Sequence, residues 1–317
     1  MQGKNDVKQT TLADQIVIEG VGVHSGRPAQ VLLHPAEAGS GITFLRTNLP
    51  NGRERQIPAR YHSVCNTDLC TVIGDGAGAS ISTVEHLMSA LAGLGVDNVL
   101  VEVDGPEMPI LDGSARLFVE AIDQVGLRSL GATRKVVKVL KPVRVELGNA
   151  VAELLPRDHG FRLDAEIVFD STVIGRQSYG FELDAGRYRR EIASARTFGF
   201  MRDVERLWKA GLALGASLEN TVAVGEDAVV NPEGLRFPNE FVRHKLLDAV
   251  GDLALAGYAI QGHYKALCPG HKLNVMVLDA LFSDRSAHAI IETPVRRPAR
   301  GVGDVLQPLA AFAPDLN

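Results

Sequence analysis

The stretch Ser82-Thr83-Val84-Glu85-His86-Leu87-Met88-Ser89-Ala90-Leu91-Ala92-Gly93-Leu94-Gly95, followed shortly by Val99-Leu100-Val101-Glu102-Val103, decides the fold class of this 317-residue chain. Leu87, Leu91 and Leu94 recur at the spacing of one helical face. Ser82 stands where an N-cap belongs, Glu85 completes a capping box and Gly95 supplies a stop. The strand that follows directly makes this a mixed α and β unit. Upstream, Ile16 to Gly26 and Ala29 to Leu33 read as short strands joined by a tight turn. Gly20, Gly22 and Gly26 do not form a dinucleotide fingerprint, because their spacing is wrong and they lead back into strand instead of opening a helix. Downstream, Asp112-Gly113-Ser114 marks a turn and cap into a second helix ending near Gly126. The first unit is therefore strands, helix, strand, helix.

The same order returns after a polar, glycine-containing connector between Gly126 and Lys135. Strand patterns cover Val136 to Leu140, Val143 to Leu147, Val151 to Leu154 and Phe161 to Phe169. A helix-like piece spans Asp203 to Ala210, with short strands at Thr221 to Val224 and Ala228 to Val230. A long helix runs from about Phe241 to Ala256 after the start signal Pro238-Asn239, and Leu273 to Leu278 reads as a last strand. The expectation is an α+β fold of two similar domains, residues 1–128 and 134–292, with a C-terminal extension at 293–317. The repetition is one of element order only, since no residue-level repeat supports it.

With 45% hydrophobic residues the chain can bury a sizeable core, and its ordinary glycine, proline and charge content excludes collagen, coiled coil and disorder. A net charge of −5, with no Lys/Arg block interleaved with aromatics, argues against nucleic acid as a partner. It leaves room for a local basic pocket that takes a small phosphorylated ligand. No run approaches the roughly 20 apolar residues of a membrane span, and the polar start lacks the apolar core of a signal peptide. The expectation is a cytoplasmic monomer, with peripheral membrane association still compatible. Cys65, Cys70 and Cys268 form no Cys-x-x-Cys pair, so any metal would use histidine and carboxylate.

The segment Phe241-Val242-Arg243-His244-Lys245-Leu246-Leu247-Asp248-Ala249-Val250-Gly251-Asp252 carries the chemistry. Helical spacing stacks His244, Asp248 and Asp252 on one face, and one turn of separation brings an imidazole and a carboxylate within reach of one ion. By spacing alone an exposed polar pair on a surface helix is the commoner reading. Glu85-His86 supplies a second source, a base beside a ligand, although Glu85 also suits a mere capping role and position 90 holds no second histidine. Cys268-Pro269-Gly270-His271-Lys272 places a histidine in a turn, of interest only where Asp252 orients and protonates it.

These residues resemble the UDP-3-O-acyl-N-acetylglucosamine deacetylases, zinc enzymes of bacterial lipid A biosynthesis. The resemblance runs from Gly20-Val21-Gly22-Val23-His24-Ser25-Gly26 to about Leu278. It is carried by Ile81 to Leu87, Glu107 to Ala115, Ala195-Arg196-Thr197-Phe198-Gly199-Phe200, Glu240 to Asp248 and Gly270-His271. It implies two domains, each a sheet with a pair of helices, and an active-site cleft at their junction. It implies His86, His244 and Asp248 as Zn²⁺ ligands, Glu85 as general base, Thr197 as hydroxyl donor to the developing oxyanion, and His271, oriented by Asp252, as the electropositive or acid group. Phe198, Phe200 and Lys245 match substrate-contacting positions, the substrate being an acylated UDP-amino sugar. Residues Thr197 to Ala216 are expected to line a channel for the acyl chain, with ordinary core packing as the alternative reading.

The residue types suit amide hydrolysis without a covalent enzyme intermediate. Two lysines of the family pattern, one before the Gly-His turn and one in the hairpin near Gly148, are here Cys268 and Asn149-Ala150. Fewer cations weaken attraction for a pyrophosphate, and Lys245 or nearby arginines are expected to compensate. A metal enzyme with a changed substrate and a non-catalytic nucleotide-sugar binder are the competing readings.

Overall fold

The computed structural model describes residues 7–292; the expected extension at 293–317 lies outside the described residues. The architecture is the α+β one expected, two halves that each set a sheet beside a pair of helices. In the first half, five strands run in the order Ile16–Val21, Pro28–Pro35, Val99–Val103, Ile42–Leu49, Arg53–Pro58. Strict alternation sends Val31, Leu33, Phe44, Ile57, Val101 and Val103 to one face, each without solvent exposure. That face shares a core with Leu87 and Leu91 of helix α1 (Glu85–Leu94) and Phe118 and Ile122 of α2 (Arg116–Val125).

The second half is a seven-stranded sheet around Ala259–Leu267. The early residues of that strand pair in parallel with Lys135–Val139, and its later ones lie between Ala150–Leu155 and Phe161–Val168. Val143–Leu147, Arg176–Glu182 and His288–Glu292 complete the sheet. Between the sheet strands fall a single turn α3 (Ala185–Arg187) and the short α4 (Val204–Lys209); α5 (Glu240–Ala254) and α6 (His271–Ser283) form the helix pair.

Helices α1 and α5 make the most extensive helix–helix contact of the fold, and nearly every residue of both is buried. A helix apolar on one face only cannot be buried all round unless its polar face is also enclosed. In α5 the enclosed polar face is the one that holds His244, Asp248 and Asp252. The contact is close because glycine lies at it: a Cβ on Gly251 would come 2.0 Å from the Glu85 carbonyl oxygen. Alongside, the Tyr188 hydroxyl donates to Ser89 Oγ at 2.8 Å, and Ser89 donates to the Leu247 carbonyl at 2.7 Å, so a hydrogen-bond chain crosses the seam.

Several local expectations are corrected. Leu273 to Leu278 is not a strand but part of α6, where Leu273, Val277, Leu278 and Leu281 bury one helical face. His271 is accordingly the first residue of a helix, not a turn residue. The polar connector after Gly126 contains a strand, Leu127–Thr133, paired antiparallel with Lys8–Leu12. Ala228 to Val230 gives only an isolated bridge from Val229 to Val224. Ser82 does not cap α1. Its peptide is engaged by Pro106 and Met108, and the helix starts after Thr83, whose φ of 60° is unusual for a β-branched residue.

Candidate metal centre

Helix α1 contributes Glu85 and His86 from its first turn, and α5 contributes His244 and Asp248 from consecutive turns. The close approach at Gly251 brings the two helices together. His86 is 4% exposed, and His244 and Asp248 are 2% exposed each, which removes the reading of a solvated surface pair. One donor atom from each of the three lies within 4.8 Å of the others. His244 Nε2 is 3.3 Å and His86 Nε2 3.8 Å from Asp248 Oδ1.

The hydrogen-bond roles show which atoms face the centre of the cluster. His244 Nδ1 lies 3.0 Å from the Ala195 carbonyl, which can only accept, so the ring proton belongs on Nδ1 and Nε2 carries a lone pair. That lone pair faces Asp248 Oδ1, a buried oxygen with no hydrogen-bond partner. Two acceptors opposed at 3.3 Å repel unless a cation lies between them. Burial lowers the His244 pKa, although Asp248 opposes this. Burial, with the neighbouring His244, pushes the His86 imidazole down to about 3, against the pull of Asp248. Burial also works against the Asp248 charge, yet the carboxyl is held well below the usual carboxylate range, with the Lys245 ammonium donating to Oδ2. Neutral imidazoles with an ionised carboxylate are the donor states a divalent metal needs. Two histidines and one aspartate also make a three-ligand set that leaves a position open, as catalytic zinc sites do. The residues fit such an ion.

Beside these three, Glu85 is 3% exposed and accepts the Thr71 peptide N–H on Oε2 at 3.0 Å. Its Oε1 faces His271 Nε2 at 3.8 Å. Burial pushes the Glu85 carboxyl up to about 7; His271 pulls it down, while Asp252 and Asp248 push it further up. His271 Nδ1 lies 2.9 Å from Asp252 Oδ2, as expected of an oriented imidazole. Burial alone would lower the His271 pKa, but the Asp252 and Glu85 carboxylates outweigh it and raise the ring to about 9. Asp252 is fully enclosed, accepting from Thr71 Oγ1 at 2.6 Å and from Asn274 Nδ2 at 2.8 Å.

Phe198 packs its ring on His244 with centroids 6.2 Å apart and lies under the Lys245 ammonium at 5.6 Å. Phe200 sits further out, against Phe169 and beneath the Arg202 guanidinium. Lys245 spends one contact on Asp248 Oδ2 at 2.8 Å, a commitment that spacing did not reveal. Thr197 is half-buried, two residues after the carbonyl that orients His244.

Sequence reasoning gave no role to Thr71, whose peptide and hydroxyl tie Glu85 to Asp252, or to Asn274. Nor did it give one to His24, a half-buried ring whose enclosed Nδ1 lacks a hydrogen-bond partner. The His24 loop is held by Glu107, which accepts the peptide N–H groups of His24 and Ser25 at 2.8 Å each. Glu107 and Asn274 carry no local pattern that announces such contacts.

Residues 9–283 match the sequence profile of UDP-3-O-acyl N-acetylglycosamine deacetylases. Curated proteins named UDP-3-O-acyl-N-acetylglucosamine deacetylase from Brucella ovis, Brucella canis and Brucella melitensis biotype 2 are each 49% identical to the chain over 285 residues. The matched segment covers 90% of this chain and 98% of each relative.

Proposed function

Because this chain belongs to the UDP-3-O-acyl N-acetylglycosamine deacetylase family, we propose that it hydrolyses the N-acetyl group of UDP-3-O-(hydroxyacyl)-N-acetylglucosamine. The products are acetate and the free amine of lipid A biosynthesis, and the ion at the site is zinc, held by His86, His244 and Asp248. The observation that carries the reading is the pair of opposed acceptors, His244 Nε2 and Asp248 Oδ1, in a buried cluster next to an unusually basic carboxyl.

When bound, the ion supplies Lewis-acid polarisation of the amide carbonyl and acidifies water at its open position. Glu85 takes and returns the proton at Oε1, since Oε2 is occupied by the Thr71 N–H. A carboxyl near 7 is matched to both halves of that task at neutral pH. His271, cationic at neutral pH with Nδ1 donating to Asp252, presents charge at Nε2 to the developing oxyanion and to the leaving amine. The Thr197 hydroxyl serves as a further donor. Met201, Trp208 and Leu214 are 47%, 56% and 53% exposed, and the Leu214 peptide donates to the His24 carbonyl. Apolar side chains held at the surface in this segment, not packed in the core, support the acyl-channel reading.

The test is acetate release from the acylated UDP-sugar and from its non-acylated analogue, with metal content measured on the same sample. A zinc-loaded protein that releases no acetate from the acylated sugar overturns the assignment. Equal turnover of both sugars favours a metal enzyme with a changed substrate, and nucleotide-sugar binding that survives chelation favours a binding protein.

Two outcomes follow for the flanking groups. The activity should fall as pH rises through about 9, where His271 loses its proton, and Asp252→Asn should move that limb toward the ordinary histidine range because it removes the charge that raises the ring. The pH profile of kcat/KM decides; an unmoved limb removes the pair from this role. Lys245→Ala should weaken UDP binding about tenfold, the size of one charge-assisted contact. Unchanged affinity by calorimetric titration contradicts its part in offsetting Cys268 and Asn149-Ala150.

A further inference from the structure

The peptide Ala195-Arg196-Thr197 joins His244 of the metal cluster to the first half of the molecule. The Ala195 carbonyl receives His244 Nδ1 at 3.0 Å, and the Thr197 N–H donates to the Gly113 carbonyl at 2.7 Å. Two residues earlier, the Ala193 carbonyl accepts from the Ala115 N–H at 2.9 Å, so the same segment is stitched to the first half of the molecule. Arg196 lies at its centre and is 2% exposed.

The Arg196 guanidinium donates through Nε and Nη2 to the two oxygens of Glu240 at 2.9 and 3.3 Å, through Nη1 to Glu233 at 2.5 Å and through Nη2 to the Gly234 carbonyl at 2.7 Å. Glu240 has no solvent exposure, accepts the Arg196 peptide N–H at 3.0 Å and the Arg236 N–H at 2.6 Å, and is the first residue of α5. His244 follows one turn later. A buried ion pair is a poor device for stability, since its desolvation offsets its attraction; what a two-pronged fork provides is orientation.

We propose that Arg196 and Glu240 are positioning residues for the deacetylation: their buried fork locks Ala195–Thr197 onto the start of α5, so that one peptide segment sets both the His244 ring and the Thr197 hydroxyl. The inference rests on the roles given above to His244 and Thr197. It distinguishes Glu240 from an ordinary acidic residue at a helix start, which would face solvent and favour the helix dipole only.

The experiment compares Glu240→Gln and Arg196→Lys with Glu233→Gln, whose side chain is 52% exposed. Cobalt and zinc affinity by chelator competition, the cobalt absorption spectrum, and kcat and KM at metal saturation are measured on each. In the first two variants metal affinity and saturated kcat should each fall about 10- to 100-fold, with an altered cobalt spectrum and little change in KM. Glu233→Gln should remain near wild type. Variants that merely melt at lower temperature, with wild-type saturated kcat and cobalt spectrum, overturn the proposal; so does a loss in Glu233→Gln as large as in Glu240→Gln. Should Arg196→Lys not fold, the isosteric Glu240→Gln decides alone. Metal affinity and spectrum need no substrate, so failure of the proposed activity is read separately, as no acetate from the wild-type protein.

Discussion

Glu85→Ala is expected to bind metal as the wild type does and to lose turnover by about 10²- to 10⁴-fold, the contribution of one positioned acid–base group. The separation follows from geometry. The three donor atoms that converge belong to His86, His244 and Asp248, and Glu85 is not among them. Its carboxylate instead lies between the Thr71 N–H and His271 Nε2. Alanine also leaves the buried Thr71 donor unsatisfied, at about 1–3 kcal/mol. Glu85→Gln is therefore the companion variant, because it keeps an acceptor for Thr71 but cannot take a proton. Metal content and kcat on both variants decide: normal kcat in either excludes Glu85 as the base, and loss of metal in both makes it a ligand.

Gly251→Ala is expected to damage the protein through the helix seam, against the direction that helix propensity gives. Alanine in place of an interior helical glycine ordinarily stabilises by about 0.5–1 kcal/mol. Here the added methyl would meet the Glu85 carbonyl oxygen at 2.0 Å and the Glu85 Cα at 3.1 Å, backbone atoms of a helix that cannot swing aside. Overpacking of this kind costs about 1–3 kcal/mol or more, so packing wins. For a chain of this size each kcal/mol lowers Tm by about 2–4 °C. Relief by parting α1 from α5 also moves His86 away from His244 and Asp248, so metal affinity should fall along with Tm. A variant that is as stable as wild type and binds metal as tightly would show that the seam can yield elsewhere.

The fold was legible where periodicity was long and unmixed. Leu87, Leu91 and Leu94 in α1, and the polar stack of His244, Asp248 and Asp252 in α5, announced both central helices and the facing of those side chains. The α6 segment misled because Val275, Met276, Val277 and Leu278 form a continuous apolar run, which suits a buried strand as well as a helix, and only its burial at Leu273, Val277 and Leu281 separates the two. Ser82 and Glu85 satisfied a capping pattern, yet the Glu85 carboxylate was taken by Thr71, since tertiary contacts override a local cap. The cluster of His86, His244 and Asp248 was visible as residue types and motif order, whereas its depth was not: exposed and enclosed i,i+4 pairs have the same spacing. Arg196 and Glu240 are 44 positions apart, and no local rule couples them.

The Ser89–Leu247 hydrogen bond joins residues 158 positions apart, and the donors on α1 and α5 are separated as widely. Closing so long a loop is slow relative to local structure. Synthesis from the amino end therefore delivers α1, apolar on almost every side, long before its partner exists. An ion bound by His86, His244 and Asp248 would enter only after both halves have docked, so it would not template the early steps. Held there, it would act as a latch on a finished molecule, raising stability by about 1.4 kcal/mol for each tenfold excess of free metal over its dissociation constant.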